Sequence, residues 1–271
     1  MVASAGIASA DVTLSGSAQM GVIYVENDAT DTDWQVQREV DLGVAMSGTT
    51  DAGLAFGADF NIAGDAGKNE DANVHISGSF GTLTIGGGIT EANELGGIGD
   101  VGYDGLGVDD VVEGNAAITD PNVHYTLSVG SLTVHASMLS DTNEAAPYAL
   151  GASYSVNGFD INVGIANEDD AADTNTTLLA VGYTAGALTL DAIMTTSETN
   201  NVETEATGVS VAYAMDAATT ITLAASDIDG SADSSIGLGV AYDLGGGATF
   251  QAGAASVNDV SKASAGIAMA F

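Results

Sequence analysis

The chain contains no cysteine, which excludes both disulfides and thiolate metal sites. Basic residues are nearly missing: Arg38, Lys68 and Lys262 stand against 37 Asp and Glu, for a formal charge of −34. Phosphate backbones are bound through Lys and Arg, so nucleic acid is excluded as a partner. Proline occurs only twice. No apolar run reaches the ~20 residues of a membrane helix. A membrane-spanning chain is not thereby excluded, because barrel strands carry their apolar residues in alternation. No nucleophile elbow, phosphate loop or Ser/His/Asp order is present, and no enzyme is expected.

What the chain does have is alternation. Its apolar fraction is 45%, too high for a disordered polyanion. Over residues 12–24, Val12, Leu14, Ala18, Met20, Val22 and Tyr24 alternate with Thr13, Ser15, Ser17 and Gln19; Ile23 is the exception. Over 34–46, Trp34, Val36, Val40, Leu42, Val44 and Met46 alternate with Gln35, Gln37, Glu39, Asp41 and Gly43, and Arg38 breaks the apolar phase. The period is that of strands with two unlike faces. Residues 54–62 and 74–85 repeat it. Beyond residue 121, tight turns at Gly130-Ser131, Asn157-Gly158, Ala185-Gly186, Asp216-Ala217 and 245–247 alternate with acidic segments. Those segments, 140–146, 167–175, 197–206, 227–233 and 258–261, read as long loops. Short turns at one end and long loops at the other describe an up-and-down meander.

Tyr125, Tyr154, Tyr183, Tyr213, Tyr242 and Phe271 recur every 29 or 30 residues, each in the apolar phase. That spacing puts one aromatic per hairpin at one height on the outer wall, where a membrane barrel meets the lipid–water boundary. A soluble solenoid with stacked Tyr residues is the rival reading. The predicted fold is all-β: a transmembrane antiparallel barrel of about sixteen strands with a water-filled lumen. The expected lumen face is Ser, Thr, Gly, Asn and Asp, too small and polar for a packed core. Residues 1–10 end in Ala8-Ser9-Ala10, the form of a signal-peptide remnant, leaving 11–271 as the barrel.

Residues 91–121 are the one long stretch without alternation. A structureless connection of that length needs a function. It is expected to fold into the lumen as a constriction loop carrying Glu91, Glu94, Asp100, Asp104, Asp109, Asp110 and Glu113, with glycine allowing it to bend against the wall. Glu39, Asp41 and Asp59 are expected on the wall, as are His75, His124 and His135, which face the lumen by phase. Together these acids would focus a negative potential that concentrates cations. Oxygen-rich clusters suit Ca²⁺, and Asp100, Asp104, Asp109 and Asp110 are the expected ligands if one binds; no cofactor is required. Solvated loop charge is the plainer alternative.

Several stretches resemble the general-diffusion outer-membrane porins of the Rhodobacter type found in alphaproteobacteria. They are DVTLSGSAQMGVIY at 11–24, MSGTTDAGLAFGADF at 46–60, HISGSFGTLTIG at 75–86, GDVGYDGL at 99–106 and AYDLGGGA at 241–248. The resemblance implies a sixteen-stranded homotrimeric barrel whose third external loop forms an eyelet for small hydrophilic solutes. Porins of this type usually set basic residues on the wall opposite the acidic loop. Here those positions carry Glu39 and Asp41, while Arg38 alternates outward. The expectation is therefore a cation-preferring porin in outer-membrane lipid. The alternatives are a secreted acidic β-rich surface or adhesin-like protein of a saline habitat and, with no catalytic group to support it, a barrel enzyme.

Overall fold

The computed structural model describes residues 11–26, 33–63, 72–116, 121–140, 146–168 and 174–271. The expected signal remnant and Lys68 lie outside them. The strands are β1 (Asp11–Val25), β2 (Trp34–Thr49), β3 (Ala55–Ala63), β4 (Asn73–Gly78), β5 (Gly81–Gly86), β6 (Val123–Val129), β7 (Leu132–Met138) and β8 (Tyr148–Val156). They continue with β9 (Phe159–Asn167), β10 (Asn175–Ala185), β11 (Leu188–Thr199), β12 (Val202–Ala214), β13 (Thr219–Ile228), β14 (Ser235–Gly245), β15 (Ala248–Val257) and β16 (Val260–Ala270). Each pairs antiparallel with its sequence neighbours, and β1 pairs with β16 to close the barrel. Closure removes every sheet edge, so the strand backbones are satisfied without water.

The predicted faces hold. Val12, Leu14, Met20, Val36, Val40, Leu238 and Tyr213 all lie exposed on the outer wall. An apolar surface this continuous marks contact with lipid or protein. The aromatic row is outward too: Tyr154, Tyr213, Tyr242 and Phe271 are exposed, and Tyr183 packs on Phe159 at 4.4 Å. Tyr24 and Trp34, with ring centroids 5.2 Å apart, form an aromatic pair at the opposite rim.

Two expectations are corrected. Segments 197–206 and 258–261 are not long loops. Asn200-Asn201 and Asn258-Asp259 each adopt positive φ at both positions (55° and 62°, 49° and 64°) and close two-residue hairpins. This is the backbone that matches strand twist, and Asn and Asp tolerate it. These acids read as loop because Glu203 and Glu205 take the outward phase that Val209, Val211 and Tyr213 hold further along β12. The lumen is also not wholly small and polar. Leu178, Ile193 and Val257 face inward and are buried against Ile98, Val101, Leu106, Val108 and Val112 of the connection between β5 and β6. An internal apolar core therefore joins that loop to the wall.

Candidate functional site: a wall-docked acidic loop

The β5–β6 connection is the third at its end of the barrel, after β1–β2 and β3–β4. It contains a short helix, α1 (Asp110–Glu113), rather than being wholly irregular. Its apolar and acidic residues take opposite sides. Val101, Tyr103, Leu106, Val108 and Val112 are fully or almost fully buried, while Asp100, Asp104 and Asp110 are exposed. Burying each large apolar side chain contributes about 1.5–3 kcal/mol.

Having no strand partner, the loop satisfies its backbone on wall hydroxyls. The N–H groups of Ala92, Gly99 and Tyr103 donate to Ser137, Ser210 and Ser264 at 2.9, 2.8 and 2.8 Å. Thr176 and Thr195 donate to the carbonyls of Ala116 and Val112 at 3.2 and 3.0 Å, and Ser226 donates to that of Val108. Asn93 ties the start of the loop to its end, donating to Ala116 O at 3.0 Å. These anchors place the loop against β7, β10 through β13, and β16.

Three pairs of glycines open the wall where the loop comes closest. Gly151 faces Gly164, Gly239 faces Gly253, and Gly21 faces Gly266 in register. The backbone of Ala92 and Asn93 lies over the first pair, Gly102 over the second and the Tyr103 ring over the third. A Cβ at Gly239 would fall 2.6 Å from Gly102 N, and one at Gly21 would fall 2.5 Å from the Tyr103 ring. Only glycine permits such an approach in a strand.

The expected site residues divide accordingly. Glu39 and Asp104 meet through Gln19, whose amide donates to both, at 2.6 and 3.0 Å. Asp41 accepts a 3.5 Å bond from Ser17. Asp59 accepts from Asn73 at 3.2 Å and lies 4.0 Å from His75 Nδ1. Glu113 accepts the Ile98 N–H at 2.9 Å, and Glu94, Asp110 and Glu113 line one recess. Burial, offset by the Ile98 bond, raises the Glu113 pKa. Glu91 is 5% exposed and is removed from the lumen surface. The four acids expected to bind calcium do not gather around a point: among the described residues, no three His, Asp or Glu form a metal-holding group. Asp104 is drawn away to Gln19, while Asp109 turns to Asp100.

The sequence reading passed over Lys262 and the glutamines. Lys262 donates to Leu106 O at 3.0 Å from the inner face of β16. With Gln19, Gln35, Gln37 and Gln251 it borders a niche of about 660 Å³ beside the loop tip, where Asp100, Asp104, Asp109 and Asp110 also lie. The signal for Lys262 was its phase opposite Ala263, Ala265 and Ile267. Lys262→Met is expected to free the Leu106 carbonyl and remove the one lysine that borders the niche among the described residues. Cation-over-anion permeability should rise about twofold and open-channel noise should increase. Unchanged selectivity and noise would show that Lys262 neither holds the loop nor offsets its charge.

Asp109 gives the loop a pH dependence. Burial, together with the adjacent Asp100 carboxylate, pushes its pKa up to about 7. Its folded value exceeds the unfolded one, so the loop is more firmly docked in mild acid and loses that stability as pH rises from about 4 through 7. Over the upper part of this range Asp109 also adds a negative charge to the lumen. Asp109→Asn should hold the neutral state, flattening the change in reversal potential between pH 6 and 8. A change as steep as in the unaltered protein would assign the titration elsewhere.

A closed sixteen-strand barrel with an apolar outer wall, a polar lumen and an inward loop defines a membrane-spanning β-barrel of the channel-forming kind. Residues 1–262 match the family described as Gram-negative porin, and the chain belongs to it. It is accordingly a multi-pass protein of the outer membrane. A porin of Rhodobacter capsulatus is 34% identical over 181 residues, or 60% of this chain and 58% of that protein. The aligned part thus spans little more than half the length of that relative. A porin structure refined at 1.8 Å is 29% identical, with a TM-score of 0.77 over 96% of this chain and all of the other. Engineered Rh. blastica porins share the fold at 17% identity, with TM-scores up to 0.82 over the same coverage.

Proposed function

We propose that this porin carries out passive diffusion of small hydrophilic solutes and inorganic ions, and that it prefers cations. The sidedness of the loop carries this reading: its apolar residues are spent on the wall, leaving Asp100, Asp104 and Asp110 exposed toward the lumen. Charge of one sign in a low-dielectric-walled channel raises the local concentration of counter-ions. The same lumen offers solutes hydrogen bonds and charge, and the reading is of a channel rather than an enzyme. Residues 11–271 form the working barrel, with 1–10 as a leader remnant. Trimerisation is part of the reading. Arg38 lies in the outward phase opposite Met20, between Val36 and Val40, and arginine facing lipid costs about 2–4 kcal/mol near the bilayer midplane. A subunit contact at β1 and β2 would cover it.

The test is a planar bilayer holding detergent-refolded protein under a KCl gradient. Stepwise conductance with a reversal potential of the cation-selective sign is expected. Steps without ion preference would keep the channel and remove the acids from the constriction. A stable monomer in plain buffer that never inserts would instead favour the secreted acidic protein.

A further inference from the structure

Ile23 breaks the alternation of β1, and with Val25 it stands half-buried in the lumen phase. Register sets the two in a polar frame. One rung of the wall runs Gln251, Gly266, Gly21 and Gln37 across β15, β16, β1 and β2. On the next rung Ile23 lies between Ser264 and Gln35, and on the one after it Val25 faces Lys262. The Tyr103 ring fills the slot at Gly21 and Gly266, so the aliphatic pair forms a step beside the docked tip of the loop. This step borders the niche of about 660 Å³, and the exposed acids Asp100 and Asp110 border it from the loop.

Two further groups in the niche are unspent. Gln37 Oε1 and Asp109 Oδ1 are buried without a hydrogen-bond partner among the described residues. A buried acceptor left unpaired costs about 1–3 kcal/mol. A hydroxyl group entering the niche would satisfy either one.

We propose that the niche is a retention site for an amino sugar, a monosaccharide-sized ring with several hydroxyls and a protonated amine. The proposal rests on the channel reading above and names a class of solute that the channel holds in passing. Each part of the lining has its counterpart in such a solute. The C–H face of the ring covers Ile23 and Val25, taking apolar surface out of water. Amides donate and accept, as hydroxyls do, so Gln37 and Gln251 suit the ring's edge. Lys262 is turned to the Leu106 carbonyl and has further N–H groups to offer a hydroxyl. The ammonium group meets Asp100 and Asp110, where charge of one sign already concentrates cations. A simple amine would use these acids and leave the step and the orphan acceptors idle. An uncharged sugar would use the step and the amides and leave the acids idle. Pockets for small molecules hold about 300–1,000 Å³ and combine apolar surface with a few convergent polar groups, a description this niche meets.

The test is single-channel recording in dilute KCl at pH 6 with D-glucosamine, D-glucose or ethanolamine added at constant ionic strength. Transient current interruptions are counted against solute concentration. D-Glucosamine should reach half-occupancy at a concentration about fivefold or more below either control. Ile23→Ser should weaken glucosamine about fivefold, because it removes the aliphatic step, while Ile23→Val should keep most of the effect. Asp110→Asn should bring glucosamine close to glucose, since it removes the charge that separates them. Ethanolamine acting as strongly as glucosamine would reduce the niche to general accumulation of cations and overturn the proposal. So would glucose acting as strongly as glucosamine on the unaltered protein, or interruptions that Ile23→Ser and Asp110→Asn leave unchanged. Open channels that no solute interrupts overturn the proposal and leave the channel intact. Failure of the unaltered protein to form channels overturns the proposed function with it.

Discussion

Valines at Gly21 and Gly266 are expected to eject the tip of the pore loop while leaving the barrel standing. The two residues are register partners on β1 and β16, and the Tyr103 ring fills the slot they create. Tyr103 is fully buried and its N–H donates to Ser264, so ring and backbone anchor the same point. Valine suits a strand, and the barrel should stay closed with a small shift of β1, since a Cβ at Gly21 would also lie 2.7 Å from the Ala265 carbonyl. The ring, however, cannot share its space with two isopropyl groups, and overpacking of this kind costs about 1–3 kcal/mol per site. A displaced tip moves into the lumen, so single-channel conductance should fall to about half or less, with added noise. Circular dichroism should still report a folded barrel. The decisive comparison adds Tyr103→Ala to the two valines. With the ring gone the clash at Gly266 disappears and Gly21 is left with only its close approach to the Ala265 carbonyl, so conductance should recover in large part, a non-additive result. Equal conductance in the unaltered and double-valine proteins would mean that the loop does not depend on this slot.

The second large effect is electrostatic. Asparagine at Asp100, Asp104, Asp109 and Asp110 keeps the shape of the loop and removes the acids that border the niche near Gln19 and Lys262. Lumen charge of one sign raises counter-ion concentration by about 10 to 10³-fold. The quadruple variant should therefore lose about tenfold in cation-over-anion permeability, with only a small change in conductance at high salt, where screening already weakens the field. Each acid should count unequally. Asp104 shares the Gln19 amide with Glu39, so its removal leaves Glu39 with that donor to itself. Asp109 contributes least below pH 7, where it carries its proton. If the quadruple variant kept its cation preference, Glu94 and Glu113 of the loop or Glu39, Asp41 and Asp59 on the wall would have to supply it.

The barrel was legible because its signal is local and repeats. A strand with lipid on one side and water on the other writes its two environments into alternate residues, and sixteen such strands leave little doubt about the period. The Tyr row added height, since hairpins of equal length return to one level. Asn200-Asn201 and Asn258-Asp259 were hard to read because Glu198, Glu203 and Asp259 resemble solvated loop and because Val202 and Val260 fall in the lumen phase, out of step with Val209, Val211 and Tyr213 on β12 and with Ala263, Ala265 and Ile267 on β16. Lys262 was visible by phase, out of step with Ala263, Ala265 and Ile267.

By itself, the sequence determined the closed β-barrel, its outward apolar face, its excess of acids and the position of the one long loop. Each of these depends on neighbours within a few residues or on composition. Tertiary structure alone decided which side of that loop meets the wall. Gly151 and Gly164, Gly239 and Gly253, and Gly21 and Gly266 are ordinary strand glycines until register sets them face to face beneath residues 59 to 163 positions away. The partners of Ser137, Ser210 and Ser264 are equally remote. Closing the barrel brings these distant strands around one lumen, and only then do small residues become a bed for the loop.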